Sequence, residues 1–333
     1  MLKIAILDDY AKAGLKLADW SVLKGKAEIT VFDRHLSQDE AASALQPFDV
    51  LCTVRERMNM PRSLFERLPN LKVVTIVGMS LPKLDMAAAT EHGVIVCHSN
   101  FANPLFANIM NATPELTWGL LIATVRHMSI EDRRMRAGGW QSTVGTILAG
   151  RTLGLLGLGR IGKRMATYGR AFGMEVIAWS QNLTDEAATS VGARRVSKDD
   201  LFRLSDVVSI HVVLSDRTRG LVTARELALM KPGAFLINTS RGPIVVEADL
   251  LAALKSARIA GAGLDVFDIE PPPADHPFRS MDNVTLAPHL GYVTHETLRA
   301  FYSDTIDAVV AFADGKPIRI ANPDALAHAR HSA

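Results

Sequence analysis

Short apolar runs alternate with longer segments of helical periodicity along most of the chain. Short apolar runs bounded by turn residues are typical of buried strands, and strands that alternate with helices favour βαβ units around a parallel sheet. The predicted strands of a first set are 3–7, 28–32, 50–54, 72–77 and 94–97, and those of a second set are 152–156, 175–178, 207–212, 234–238, 261–266 and 284–287. The pattern predicts an α/β protein.

Two further helices are marked by their spacing. Thr113 is the predicted N-cap of the first, with Pro114 at the first helical position and apolar residues following at helical intervals. Helical spacing returns from Thr294 to about Ala313, and the tail 321–333 is polar, alanine-rich and predicted to be loose. Val246 stands just before the helix predicted to begin near Glu247, so that helix is expected to lack a side-chain cap.

Composition narrows the class of protein. The formal net charge is +2 and acids and bases are interspersed, which gives no sign of a nucleic-acid interface. Cys52 and Cys97 lie outside any metal-ligand spacing and are predicted to be buried thiols, and no metal is expected. The N-terminus turns acidic within eight residues, unlike a signal peptide, and no apolar stretch approaches the ~20 residues of a spanning helix. We expect a soluble, cytoplasmic protein that does not bind membranes.

A glycine-rich turn follows the strand predicted at 152–156. The sequence GLGRIG over residues 157–162 lies between that strand and a predicted helix, the setting in which GxGxxG indicates a dinucleotide site. Gly157 permits a tight turn, Gly159 lets the backbone approach a pyrophosphate, and Gly162 allows close packing of helix and strand. The amides at the helix start, including those of Arg160 and Ile161, face the phosphates.

The strand after this loop is expected to end in an acid that binds the adenosine ribose of NAD. Ser180, Gln181 and Asn182 stand there instead, and none is acidic. An acid would repel the 2′-phosphate of NADP, so its absence removes the usual discrimination against NADP. The next basic residues, Arg194 and Arg195, are more than ten positions away. The cofactor is therefore NAD or NADP, with a slight lean to NADP.

Three reactive side chains come just after predicted strands of the second set. They are Arg241 in NTSRGP, Glu270 in LDVFDIEPP and His289 in APHLGY. Open α/β sheets place their ligands at the carboxyl ends of the strands, where these residues lie. Taken singly, each also has an ordinary structural explanation, as a surface ion-pair partner, a solvated acid or a turn histidine.

At this point the sequence resembles a D-isomer-specific 2-hydroxyacid dehydrogenase, of the phosphoglycerate dehydrogenase or glyoxylate/hydroxypyruvate reductase type. Besides GLGRIG, the resemblance is carried by ATPELTWGLL, GGWQ, SIHVVLSDRTRGLV, NTSRGPIV, AGAGLDVFDIEPPPADHP and LAPHLGYVT, and it is densest from about Ala112 to Thr294. It implies two Rossmann-like or flavodoxin-like doubly wound domains with a cleft between them. Residues 1–105 with 294–333 would form the substrate domain, and residues 106–293 the dinucleotide-binding domain.

The same resemblance implies roles for the three reactive residues. Arg241 would bind the carboxylate and carbonyl oxygen of a 2-oxo acid, a task that suits a planar guanidinium. His289 would exchange a proton with the alkoxide oxygen, and Glu270 would orient its imidazole. The nicotinamide supplies the hydride. The implied activity is an NAD(P)-dependent oxidoreductase that acts at C2 of a small 2-hydroxy or 2-oxo acid.

Further cofactor contacts follow from the resemblance. Thr239 and Ser240 would lie near the nicotinamide ribose, and Asp265 would contact the carboxamide. Gly291 would line the same side of the cofactor site, close to His289. The adenosine side would be lined by His211, Val212, Val213 and Thr218, although a packing role is equally open for His211.

The substrate would meet Arg241, His289 and backbone amides near Gly78 and Met79. Arg55 would add charge to the pocket or be an ordinary solvated surface residue. The stretches 78–85 and 98–111 match the family loosely, so D-3-phosphoglycerate, glyoxylate or hydroxypyruvate, and D-lactate-like substrates stay open. Glu270 argues against formate dehydrogenases, which carry Gln there.

The alternative is an NAD(H)-sensing binding protein of the corepressor type without significant turnover. Family resemblance also implies a homodimer in which residues from about Phe101 to Gly150 cross between subunits. Trp118, Met128 and Trp140 are candidates for that contact or, equally, for the core.

Overall fold

Both halves of the fold are built around parallel sheets, in a computed structural model that describes residues 1–55, 57–78, 83–100 and 109–328. The chain divides into two units, Met1–Ile109 with Thr294–Ala333, and Met110–Val293. Each unit alternates strands with helices, which confirms the predicted α/β class with two doubly wound sheets.

The first unit has a five-stranded sheet in the order β2-β1-β3-β4-β5. All of its strand pairs are parallel, and this order is that of flavodoxin-like folds. Its strands are β1 (Leu2–Ile6), β2 (Ala27–Val31), β3 (Val50–Cys52), β4 (Val73–Thr75) and β5 (Ile95–Cys97). Its helices are α1 (Gly14–Leu17), α2 (Gln38–Ala44), α3 (Arg62–Phe65), α4 (Met86–Glu91) and α12 (His295–Ala313), with short 3-10 helices at Trp20–Leu23 and Pro323–His328.

The C-terminal part of the chain is fixed to the first unit. Helix α12 begins after Thr294, whose side chain accepts a hydrogen bond from the Thr297 amide, as the helical spacing predicts. The prediction of a loose tail is wrong for the described residues up to 328. Buried Asn322 accepts a hydrogen bond from the Val96 amide at 2.8 Å and donates to the Val94 carbonyl at 2.9 Å, so its side chain continues the edge of β5.

The second unit has a seven-stranded sheet in the order β12-β11-β10-β9-β6-β7-β8. Counted from β6, this is the Rossmann order with one further strand. Its strands are β6 (Thr152–Leu156), β7 (Glu175–Trp179), β8 (Arg194–Arg195), β9 (Val207–Ile210), β10 (Phe235–Asn238), β11 (Gly261–Leu264) and β12 (Val284–Leu286). Its helices are α5 (Ala112–Val125), α6 (Met128–Arg136), α7 (Arg160–Ala171), α8 (Asp185–Thr189), α9 (Lys198–Leu204), α10 (Ala224–Leu229) and α11 (Glu247–Lys255), with 3-10 helices at Gly242–Ile244 and Pro277–Ser280. The turn at Ile109–Asn111 is also a 3-10 helix.

Every predicted strand occurs, but several end earlier than their apolar pattern. Val54, Val77 and Val266 are buried, although β3, β4 and β11 end before them. Their side chains stay in the core while the backbone leaves the sheet for the loops at its carboxyl edge. Strand β8 was not predicted, because it consists of two exposed arginines and has no apolar pattern.

Two local predictions about helix starts have opposite outcomes. The N-cap of α5 is Asn111, not Thr113, and the Thr113 hydroxyl instead donates to the Gly291 carbonyl at 2.9 Å. A tertiary contact has taken the hydroxyl that the local pattern assigned to the cap. Val246 precedes α11 without a side-chain cap, as expected.

Cys52 and Cys97 are both buried free thiols, as predicted.

Candidate active site

The GxGxxG segment forms a tight turn between β6 and α7. Gly157 has a φ of 104°, and a Cβ placed there would lie 2.8 Å from backbone atoms of His211. A Cβ on Gly162 would lie 2.2 Å from the Gly157 carbonyl oxygen. Both positions therefore require glycine. A Cβ on Gly159 would meet nothing within 4 Å, so the space beside this residue is open to a ligand. We call residues 157–162 the phosphate loop.

The helix that follows the phosphate loop begins with unsatisfied amides. Gly159 is the N-cap of α7, and no side chain caps this end in the described structure. The amides at Arg160 and Ile161 have no partner within the helix, and the helix dipole adds partial positive charge at this end. The open space beside Gly159 and these amides together fit the pyrophosphate of a dinucleotide.

The predicted adenosine side lies at the carboxyl ends of β7 and β9. Ser180 directly follows β7 and is half-buried, while Gln181 and Asn182 are exposed. His211 follows β9, and its Nε2 lies 2.8 Å from the Ser209 hydroxyl. Burial lowers the pKa of His211 to about 3, so the ring is neutral.

The loop after β9 is closed by its own side chains. Val212 is half-buried and Val213 is exposed. The Thr218 hydroxyl donates to the Val213 carbonyl at 2.6 Å and accepts from the Ser215 amide at 2.8 Å. The hydroxyl therefore shapes the loop, and contact of these residues with the cofactor stays a prediction.

Arg241 stands on a turn that Asn238 organises. The Asn238 side chain donates to the Arg241 carbonyl and accepts from the Ser240 amide, both at 3.0 Å. The Ser240 hydroxyl donates to the Val212 carbonyl at 2.5 Å, and the Thr239 hydroxyl lies 2.7 Å from the hydroxyl of Thr117 in α5. These bonds join the ends of β9 and β10 and fix the backbone from which the guanidinium extends.

His289 sits in a loop that is held by Asp265. His289 has a φ of 54°, a left-handed conformation that is strained for a residue with a Cβ. The loop keeps it because the His289 amide donates to the Asp265 carbonyl at 2.9 Å. The Asp265 carboxylate accepts from the amides of Leu290 at 2.7 Å and Gly291 at 3.0 Å. Asp265 is thus a fixed support for the loop that carries the histidine.

The ionisation of Asp265 is shifted by its surroundings. The side chain is fully buried, and burial raises its pKa to about 6 despite the two amide donors. Both carboxylate oxygens are already engaged by the loop, so the predicted contact with a nicotinamide carboxamide stays a prediction.

Glu270 and His289 form a direct pair. His289 Nδ1 lies 2.6 Å from Glu270 Oε2, and the Phe267 amide donates to Glu270 Oε1 at 2.9 Å. Burial alone would raise the pKa of Glu270, but the hydrogen bond and charge of His289, with a smaller effect of Arg241, leave that pKa below its usual value. The carboxylate is therefore ionised near neutral pH, and its contact with Nδ1 leaves Nε2 as the nitrogen that can exchange a proton.

The described structure thus brings Glu270 and His289 into contact, and Asp265 supports the loop of His289. Arg241 is near enough for its charge to act on Glu270. Gly78 belongs to the other unit, and its amide donates to the Ser99 hydroxyl at 3.4 Å. Arg55, also in that unit, has a φ of 56°. Met79 lies outside the described residues, so its predicted substrate contact has no structural account.

Sequence reasoning missed Asn238 and the strand of Arg194 and Arg195. An asparagine that ends a buried strand and precedes the reactive arginine by three positions is a signal that could have identified the first. Only the strand pairing reveals the second. Among the described residues, no group of three or more His, Cys, Asp or Glu side chains is arranged for a metal ion. No helix in the same ranges is long and apolar enough to cross a membrane.

Comparison with known proteins shows which family this chain resembles. The family model for the D-isomer specific 2-hydroxyacid dehydrogenase NAD binding domain matches residues 118–291. A glyoxylate reductase from Aeropyrum pernix is 38% identical over 262 residues, or 76% of each chain. A hydroxypyruvate reductase from Thermotoga maritima is 32% identical over 292 residues, or 86% of this chain and 92% of that protein. The crystal structure of a phosphoglycerate oxidoreductase from Vibrio cholerae has a TM-score of 0.87 at 34% identity, covering 95% of this chain and all of that one.

Proposed function

This chain belongs to the D-isomer-specific 2-hydroxyacid dehydrogenase family, and from that premise we propose that it transfers a hydride between NAD(P)H and C2 of a small 2-oxo or 2-hydroxy acid of the D series. It is an NAD(P)-dependent oxidoreductase of that family. The proposal assigns substrate binding to residues 1–105 with 294–333 and dinucleotide binding to residues 106–293.

The dinucleotide would be held by the phosphate loop and the start of α7. The glycines at 157 and 162 allow the close turn, and the open space at Gly159 accepts the pyrophosphate. Bound nicotinamide supplies the hydride to C2 of the substrate. The protein's own contribution is to bind the substrate, place C2 and provide the proton.

The contact of 2.6 Å between Glu270 and His289 carries the proposal. The Glu270 carboxylate holds the imidazole ring through Nδ1, so that Nε2 can donate a proton to the carbonyl oxygen as the alkoxide develops. In the direction of oxidation, the same nitrogen accepts the hydroxyl proton. A pair of this kind provides the proton exchange that accompanies hydride transfer.

Arg241 would bind the substrate carboxylate and the carbonyl oxygen. Its turn is fixed by Asn238, so the guanidinium extends from a rigid base. A planar cation with several N–H groups polarises the carbonyl and orients C2 at once. Arg55, Gly78 and Met79 are proposed as further substrate contacts.

We infer that the substrate is glyoxylate or hydroxypyruvate. The support is that the relatives which match over three quarters or more of both this chain and their own length are named glyoxylate reductase and hydroxypyruvate reductase, whereas the D-3-phosphoglycerate dehydrogenases match over about half of their own length. The cofactor is NAD or NADP, and the absence of an acid at Ser180 favours NADP.

A reduction assay with purified protein tests the function. The loss of NADH or NADPH absorbance is followed with glyoxylate, hydroxypyruvate, pyruvate, phenylpyruvate, 2-oxoglutarate and 3-phosphohydroxypyruvate. Turnover of glyoxylate or hydroxypyruvate above the others is expected. Tight dinucleotide binding with no turnover of any acid would contradict the proposal and favour a sensing role.

A homodimer is also proposed. Trp118 is buried against Tyr168 and Phe172, so it belongs to the core. Met128 and Trp140, however, are exposed to 54% and 71%, and neighbouring Val144 and Ile147 are exposed as well. Four exposed apolar side chains within one short stretch of the chain support a protein interface. Sedimentation equilibrium should give the mass of two chains, and a monomer would contradict the proposal.

A further inference from the structure

The edge strand of the second sheet brings two arginines to the end of β7. β8 pairs with β7 in parallel, with Arg194 opposite Ile177 and Arg195 opposite Ala178. The amide of Val196 donates to the Ala178 carbonyl at 3.1 Å, which extends the pairing toward Ser180. These arginines are remote from Ser180 in sequence and close to it in the fold.

Arg195 and Ser180 lie on one face of this sheet. Alternate residues of a strand point to the same face, so Arg195 shares the face of Ala178, and continuing the alternation places Ser180 there too. Ala178 packs with Met165 of α7 in one buried cluster, so this is the face on which the helix of the phosphate loop lies. Arg194 shares the opposite face with Ile177, which belongs to the other cluster.

The distance between these positions suits an arginine side chain. Paired residues on neighbouring strands are about 4.8 Å apart, and two further residues add roughly 6.6 Å along the strand. The two Cα atoms are therefore separated by about 8 Å, estimated from these spacings. A side chain as long as arginine can place its guanidinium beside a group bound at Ser180.

Arg195 forms a weak ion pair with Asp185. Its Nη1 lies 3.5 Å from Asp185 Oδ2, and that carboxylate is 73% exposed. Exposed ion pairs of this kind contribute little, so the guanidinium can turn to a stronger anion at small cost. A phosphate dianion is such an anion, because it accepts charge-assisted hydrogen bonds from two of the guanidinium nitrogens at once.

We propose that Arg195 binds the 2′-phosphate of NADP(H), which makes NADP(H) the preferred cofactor. The inference rests on the proposed function, since it requires a dinucleotide bound at the phosphate loop with its adenosine ribose at the end of β7. Ser180 leaves room for the phosphate without repelling it, and β8 supplies the positive charge that the loop after β7 lacks. The second cation of the strand, Arg194, takes no part because it faces away.

Direct binding measurements test this assignment without turnover. Dissociation constants for NADPH and NADH are measured by quenching of tryptophan fluorescence, with Trp179 at the end of β7 as a near reporter. 2′,5′-ADP and 5′-ADP serve as competitors that lack the nicotinamide. The variants are Arg195→Ala, its matched control Arg194→Ala, which removes the same charge one position away, and Ser180→Asp, which adds a repelling carboxylate.

The wild-type protein should bind NADPH more tightly than NADH. Arg195→Ala should weaken NADPH and 2′,5′-ADP about tenfold, the loss of one charge-assisted contact at an exposed site, with NADH unchanged. Ser180→Asp should also weaken the binding of NADPH relative to NADH. Arg194→Ala should leave the ratio of the two dissociation constants as it is in the wild type.

An unchanged ratio of the NADPH and NADH dissociation constants in the Arg195→Ala protein, or an equal loss of NADPH affinity in both arginine variants, overturns the assignment. If NADH still binds in that case, the proposed function stands. A wild-type preference for NADH also overturns the assignment. Failure of both dinucleotides to bind removes the proposed function, and this inference with it.

Discussion

Replacing Glu270 by glutamine removes the negative charge beside His289 while keeping a side chain of nearly the same size and shape. The glutamine amide oxygen can keep the hydrogen bond from the Phe267 amide, now 2.9 Å from Glu270 Oε1. Its NH2 group then faces His289 Nδ1, where Oε2 stands at 2.6 Å. An amide N–H cannot accept a hydrogen bond from an imidazole N–H, so the change removes the acceptor that holds Nδ1 of His289.

The expected effect is about a tenfold loss of turnover in the direction of reduction. A hydrogen bond to a charged group contributes about 1.5–3 kcal/mol when shielded from water. The side chains of His289 and Glu270 are 19% and 28% exposed, so the lower end applies. About 1.4 kcal/mol of lost transition-state stabilisation corresponds to a tenfold change in rate. Because Glu270 holds the imidazole that is proposed to donate the proton, the Glu270→Gln variant should lose that amount in kcat for reduction.

The assay measures kcat and kcat/KM for reduction of the best 2-oxo acid at one fixed pH near neutrality. The Glu270→Gln protein should have a kcat about tenfold lower than that of the wild type. The matched control is Glu247→Gln, which changes a second glutamate–histidine contact, 3.0 Å from His276 Nε2, and should leave kcat unchanged. A wild-type kcat in the Glu270→Gln protein, or an equal loss in both variants, would refute this reasoning.

Three other changes test separate parts of the site. His289→Ala should lower turnover by ~10²–10⁴-fold, the range for a general acid–base group, with dinucleotide affinity retained, and near-normal turnover would exclude His289 as the proton donor. Gly162→Ala places a Cβ 2.2 Å from a carbonyl oxygen of the phosphate loop and should weaken dinucleotide binding at least about tenfold in fluorescence titration, whereas Gly233→Ala, where a Cβ meets nothing, should not. Asp265→Asn leaves one of two loop amides facing an NH2 group and should lower the free energy of unfolding by about 1–3 kcal/mol in urea; an unchanged midpoint would show that the loop does not depend on this carboxylate.

Much of this protein could be predicted from local patterns. The alternation of apolar runs and helical segments gave every strand of both sheets except β8, and the glycine spacing located the phosphate loop. Strand ends were less accurate, because buried valines such as Val54 and Val266 continue the apolar pattern after the backbone has left the sheet. Hydrophobicity reports burial, whereas a strand ends where its backbone hydrogen bonds end.

The sequence by itself determined the fold class and the set of reactive residue types, because burial pattern and side-chain chemistry are properties of single positions and their near neighbours. The tertiary structure decided the pairings. It directed the Thr113 hydroxyl to Gly291 instead of a helix cap, used both Asp265 oxygens to hold the His289 loop, and joined β8 to β7 so that Arg195 lies near Ser180. Such partners are far apart in the chain, and only the folded sheet order brings them within the range of a hydrogen bond or a charge.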